Sequence, residues 1–326
     1  MNKWKSFTQK YHKILMGILL AALFVFPLLG FSQYIYRIAV VSVLYAILAM
    51  SLNLIAGVAG QISLGHIAFY GIGAYTSALL CVNFGVSVWV GMLAAFLVSM
   101  VFGLLIAIPT LKLSGGYLAI LTLSFAEIIR LILLNWTSVT RGPMGILNIP
   151  KPSIFGYTIK SSAAFLYLVL VVAVLVYVGL RNLIRSKFGR NLQALRDDEI
   201  SSESMGINVY RHKVIAFVIS TGVAGVAGAL FASFMEFIDP SSFISDESTV
   251  ILSMVVLGGM GNMNGSIIAA VLLTVLPEAM RSFADYRMLV YGVVLVAMML
   301  LKITDWSAVK RALRTALTFK SSKRKG

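Results

Sequence analysis

Residues 184–235 read IRSKFGRNLQALRDDEISSESMGINVYRHKVIAFVISTGVAGVAGALFASFM, and the change of character along them decides the fold. The stretch 184–212 is polar and carries charges of both signs. After Lys213 no charge occurs up to Met235, and a helix over 213–235 is long enough to cross ~30 Å of hydrocarbon. A polar segment that runs into an apolar one of this length points to lipid as the solvent.

Comparable runs recur outward from it, at about 14–31, 37–56, 61–82, 87–109, 116–136, 162–183, 248–262, 264–281 and 288–303. Glycines interrupt the runs at 61–82, 248–262 and 264–281. The expectation is an all-α polytopic transmembrane bundle of about ten spans over 14–303. It is flanked by a short N-terminal segment, 1–13, and a basic tail, 304–326. Composition agrees: 59% of the chain is hydrophobic and 12% charged, against about 25% charged in a soluble domain. Lys3, Lys5, Lys10 and Lys13 precede Ile14–Leu29 as in a signal peptide, but no small-x-small cleavage site comes after it, so a retained helix is expected.

Lys and Arg set the expected orientation. With the N-terminus inside and the spans alternating, the inner segments hold 20 of them and the outer segments 6. The outer six are Arg37, Arg141, Lys151, Lys160, Arg281 and Arg287. This places both termini in the cytoplasm and requires an even number of crossings. The net charge of +15 reflects that distribution and suits lipid headgroups near the basic tail. No aromatic-plus-basic patch on a soluble domain offers a nucleic-acid site. Cys81 is the only cysteine, and His12, His66 and His212 lie far apart, so neither an intrachain disulfide nor a metal-ligand spacing is present.

The inner loop 184–212 predicts a helix from about residue 190, with Ser186 as a start cap and Gly206 as the left-handed residue that ends it. Leu192, Leu195 and Met205 give it an apolar edge. Such a helix rests on the bilayer or on a protein. Its acidic middle, with Asp197, Asp198, Glu199 and Glu203, meets a negative inner leaflet, which favours a protein partner.

Two glycine-rich stretches break apolar runs. Gly57–His66 reads GVAGQISLGH and is followed by Gly71 and Gly73; Gly258–Ser266 reads GGMGNMNGS. Close helix packing and a break that lines a cavity both account for Gln61, Ser63, Gly65, His66, Gly71 and Gly73, and for Gly258, Gly259 and Gly261. Spans 2–5 and 7–10 enter the membrane in opposite senses, and the breaks fall near the second span of each set, as in inverted repeats. Within the fifth span, Glu127 and Arg130 share a helix face at i,i+3, either as a structural ion pair or as a gating pair. The dipeptide Gly-Lys never occurs, so no phosphate loop is present. Nor does any catalytic constellation, and energy for active transport must come from another subunit.

Four blocks carry a resemblance. GQISLGHIAFYGIGAYTSALL (60–80), YLAILTLSFAEIIRLILLNW (117–136), GRNLQALRDDEISSESMGINVYRHKVIAFVISTGVAGVAGAL (189–230) and VLGGMGNMNGSIIAAVLL (256–273) resemble the branched-chain amino-acid ABC permeases of the LivM type. The similarity covers about residues 35–305. It implies a type II-like importer in a bacterial inner membrane. Such a complex pairs two related permeases with two ATPase subunits, which bind the ATP, and an external solute-binding protein. It also implies that 190–206 faces the ATPase. The expected contact is a helix around Leu192–Met205 with Leu195 as apolar anchor and Arg196 and Glu199 as polar flanks, ended by Gly206. Ser201–Met205 reads SSESM where the family often has small apolar residues. Related permeases serve urea or short amides, and a stand-alone channel or secondary carrier is the alternative class.

Overall fold

Apolar length selects the helices. The computed structural model describes residues 30–110, 115–154, 157–279 and 292, so nearly all of the expected spans 14–31 and 288–303, and both terminal segments, lie outside the described residues. Among the described residues, six helices are long and apolar enough to cross a membrane. They are α1 (Gln33–Leu52, continued by a π-helical turn, Asn53–Val58), α2 (His66–Phe84), α3 (Val88–Thr110), α4 (Gly116–Asn135), α5 (Ser162–Arg185) and α8 (Val209–Met235). Between α5 and α8 lie two short helices, α6 (Lys187–Asp197) and α7 (Glu199–Ser204). After α8 come α9 (Ser245–Gly258) and α10 (Met263–Ala279). The described residues up to Val275 cluster as one unit, and those from Leu276 belong to another.

Helices α1, α2 and α8 are mostly buried, whereas α3, α4 and α5 leave most of their apolar surface uncovered. Helix α8 runs through the middle and packs on α1, α2 and α3. Small residues permit this: a Cβ at Gly73 would collide with the Gly225 carbonyl, and one at Gly228 with the Tyr70 carbonyl. In lipid, where apolar attraction between helices is weak, such close approach supplies the packing.

Several expected spans change. Helix α2 begins at His66, and Gly60–Gly65 ahead of it is not helical. The run expected as a crossing at 248–262 is α9, whose 14 residues reach about 21 Å, short of the ~30 Å hydrocarbon layer. It starts at depth. Ser245 donates to Glu127, the twelfth residue of the 20-residue α4, and Glu247 accepts from Tyr45, midway along α1.

The segment leading into α9 therefore descends into the bundle. Its Phe243 packs among Tyr70, Tyr75 and Phe231, with ring centroids 5.6, 6.0 and 6.2 Å away. Two short antiparallel pairs cover this end: β1 (Ile146–Leu147) with β4 (Phe237–Ile238), and β2 (Ser153–Ile154) with β3 (Tyr157–Thr158). The glycine-rich breaks also differ from expectation. They lie at one end of the bundle, joined by a hydrogen bond from Gly261 N–H to Asn53 Oδ1 at 2.8 Å, not at the opposite faces that symmetry-related points of an inverted repeat would occupy.

Candidate functional site

The loop 184–212 is not one helix. Ser186 caps α6 by accepting from Gly189 N–H at 3.4 Å, and α6 stops at Asp197. Asp198 then turns the chain and caps α7, accepting from Ser201 N–H at 3.0 Å and from its hydroxyl at 2.9 Å. These bonds favour the charged form and hold its carboxyl below the usual range. Helix α7 closes in a Schellman arrangement, with Gly206 N–H donating to Glu203 and Ile207 N–H to Ser202. Gly206 sits at φ +80°, where a side chain is strained.

The expected apolar anchor is corrected. Leu192 and Leu195 are 0% and 1% exposed, because this amphipathic helix turns them onto α8 and the π-helical turn of its own chain. The apolar side chains left uncovered are Ile200 at 81% and Met205 at 83%. Ile200 was not expected. The signal was Asp198 three residues before Ser201, a helix-start pattern that breaks the register and rotates the next turn. Glu199, its side chain half uncovered, pairs with Lys213, a buried cation at the foot of α8, and braces the elbow against that helix.

Arg196 also departs from expectation. It points inward, donating to the Gly57 carbonyl at 2.5 Å. Its stem passes Gly60, where a Cβ would lie 3.0 Å from Arg196 Cγ, and its guanidinium passes Gly261, where a Cβ would lie 3.2 Å away. Gly60 has φ +72°. The motifs around Gly57, Arg196 and Gly261, separate in sequence, thus form one joint. Gly258 and Gly259 complete it, since a Cβ on Gly258 would collide with Gly265 at the start of α10.

The polar side chains between Gln61 and His66 are buried beside this joint, while Ile62 is exposed. Gln61, Ser63 and His66 are almost wholly enclosed, and Leu64 N–H donates to Thr122 Oγ1 at 3.0 Å. Gly65 touches the Thr122 carbonyl so closely that a Cβ has no room. His66 Nε2 lies 2.7 Å from Ser51 Oγ, which is also 2.8 Å from the Leu48 carbonyl. His66 Nδ1 and both ends of the Gln61 amide are buried without a partner among the described residues. Gly71 is looser, with the Phe243 ring 3.2 Å from a notional Cβ.

At mid-depth Arg130 Nε donates to Glu127 at 3.0 and 3.1 Å. The pair is not sealed, with 42% of the Glu127 side chain and 26% of Arg130 uncovered. Asp246, Thr249 and Ser253 lie along one face of α9 from the same level, the first two exposed and the third half-exposed.

Lipid-length helices, a half-helix that starts inside the layer, and polar groups uncovered at that depth define a multi-pass membrane permease. The family model described as "Branched-chain amino acid transport system / permease component" matches residues 34–301, and the chain belongs to that family. It is 42% identical over 316 residues to the high-affinity branched-chain amino acid transport system permease protein LivM of Salmonella typhimurium, covering 90% of this chain and 74% of that one. It is 28% identical over 258 residues to the probable LivM of Methanocaldococcus jannaschii, covering 68% and 74%. LivH of Salmonella typhimurium is 27% identical over 273 residues, covering 78% and 87%. No solved structure matches it.

Proposed function

We propose that this chain is one membrane-spanning half of an ATP-driven importer of branched-chain amino acids. Its partners are a second, homologous permease, two ATPase subunits that bind the ATP, and an external solute-binding protein. The observation that carries the reading is the joint at Arg196. A short helical elbow outside the layer is tied by one guanidinium to the first break at Gly57, which the Gly261–Asn53 bond joins to the second. Force applied to the elbow reaches those breaks with no flexible segment between.

The elbow α6–α7 is the coupling element, and it presents Ile200 and Met205 to the ATPase. Glu127, Arg130, Asp246, Thr249 and Ser253 face the translocation path. An uncompensated charge at the bilayer centre costs at least ~2.5–3.5 kcal/mol, so groups at this depth face protein or water. Gln61 and His66, beside the Arg196 joint, hold further buried polar atoms without a partner among the described residues. The same reading gives ten crossings in the inner membrane: the six long helices, α9 together with the chain that descends into it, α10, and the runs 14–31 and 288–303, with both ends in the cytoplasm and the sets 37–136 and 213–303 inserted in opposite senses.

The test is uptake of labelled leucine by proteoliposomes that hold the four-subunit complex, with leucine-loaded binding protein outside. ATP-dependent uptake is expected. Uptake without ATP makes the chain a channel or secondary carrier, and uptake of urea or short amides in place of leucine transfers it to that branch of permeases.

A further inference from the structure

At the end of the bundle opposite α6, the ends of α1, α5 and α8 enclose a cavity of 230 Å³. We propose that this cavity binds a free zwitterionic amino acid with a compact apolar side chain, as a reception site on the permease itself. The inference rests on the amino-acid transport reading above and adds a place and a set of contacts to it.

Size limits the ligand first. The cavity is below the roughly 300–1,000 Å³ of a site for a drug-sized molecule, so its occupant is small. Charge comes next. Arg37, Lys151 and Lys160 line it with one carboxylate, Glu236. Lys151 is already paired with Glu236 at 2.7 Å. Among the described residues Arg37 and Lys160 form no ion pair, and Arg37 Nη2 meets only the Met235 sulfur at 3.5 Å. Two cations therefore stand open to an anion. Ser161 and Ser162, at the N-terminus of the 24-residue α5, add their hydroxyls and the positive end of that helix. A carboxylate is the group that fits.

Glu236 gives the site its second pole. It ends α8 in the left-handed region at φ +59°, a position that glycine ordinarily takes. Its side chain is about half uncovered, so it can share an ammonium with Lys151 as neighbour. Beneath the charged rim Phe234 and Ile159 are partly exposed, with Phe165 buried behind them, and give an aliphatic group a small apolar floor. Anion contact, carboxylate and apolar floor match the three parts of an amino acid such as leucine. A lipid phosphate fits less well: Glu236 would repel it, and its acyl chains would run along the helix surface instead of down onto the floor.

The experiment is calorimetric titration of the nanodisc-embedded permease–ATPase complex, without binding protein, with leucine, 4-methylpentanoate (no ammonium) and isoamylamine (no carboxylate). Leucine is expected to bind, with each single-charge analogue at least about tenfold weaker. Arg37→Gln is expected to weaken leucine and leave isoamylamine unchanged. Glu236→Gln is expected to weaken leucine relative to 4-methylpentanoate, whose carboxylate the freed Lys151 can only favour. Equal binding of 4-methylpentanoate and leucine to the wild type overturns the zwitterion site even if neither variant folds. Leucine binding that survives both substitutions in folded complexes overturns it too, as does displacement of leucine by phosphatidylglycerol at ratios where phosphatidylcholine has no effect. Uptake separates the two readings. Import without binding to the permease overturns the cavity alone, and binding without import overturns the transport reading alone.

Discussion

The guanidinium of Arg196 donates to the carbonyl of Gly57 across 139 positions of sequence, and that one bond ties a helix outside the layer to a π-helical turn within it. The last carbonyls of a helix lack an intrahelical donor, and that of Gly57, one residue before the end of the π-helical turn, is met by Arg196.

Arg196→Ala removes a charge-assisted hydrogen bond of about 1.5–3 kcal/mol and frees the joint. ATP hydrolysis is expected to persist while leucine uptake falls about tenfold or more. Both rates are read from the same proteoliposomes. A parallel fall in the two would make the residue a structural brace only. Arg196→Lys is expected to rescue poorly, because an ammonium lacks the planar reach past Gly60 and Gly261.

The elbow offers a contrast within one segment. Ile200→Asp and Met205→Asp are expected to leave the permease folded and to abolish the stimulation of ATP hydrolysis by loaded binding protein. Leu195→Asp instead buries a charge within this chain and is expected to lower the yield of folded protein. Ranking the three by melting temperature and by stimulated hydrolysis should give opposite orders. Identical orders would return Leu195 to the interface.

Glycines of the central helices should rank by backbone contact. Gly73→Ala pushes a Cβ into the Gly225 carbonyl, and Gly65→Ala into that of Thr122, where overpacking costs about 1–3 kcal/mol. Gly71→Ala meets only a Phe243 ring, which can shift. Thermal melts in detergent are expected to show Gly71→Ala nearest the wild type. The reverse order would remove the close-packing account.

For Glu127 and Arg130, a structural role and a path role predict different double variants. Glu127→Gln alone leaves Arg130 without its carboxylate at mid-depth and should reduce folded yield. The double variant Glu127→Gln with Arg130→Gln is expected to restore yield while uptake stays at least about tenfold down. Recovered uptake would mean that the pair serves the fold alone.

Much of this architecture was legible in the sequence. The lipid-length helices arise from apolar runs, and Ser186 and Gly206 act as the local signals indicate. What escaped depends on contacts distant in sequence. Nothing around Arg196 says that its side chain turns inward, since it is one charge among many in a polar loop. The depth of α9 was hidden because 248–262 is apolar enough to pass for a full-length membrane helix. The pairings of Ser245 with Glu127 and of Glu247 with Tyr45 reveal where the helix starts. Leu195 misled for a simpler reason: an apolar edge says that something is covered, and here the cover is α8 of the same chain.

The shortness of α9 bears on voltage. Where water reaches its N-terminus from the far side, the remaining insulator is the length of that helix, about 21 Å, and the whole membrane potential falls across it. A cation forced through that field would gain or lose ~2.3 kcal/mol per 100 mV, whereas a zwitterion carries no net charge and does no electrical work. Uptake through such a septum is electrically silent, and the concentration gradient it builds is set by ATP alone.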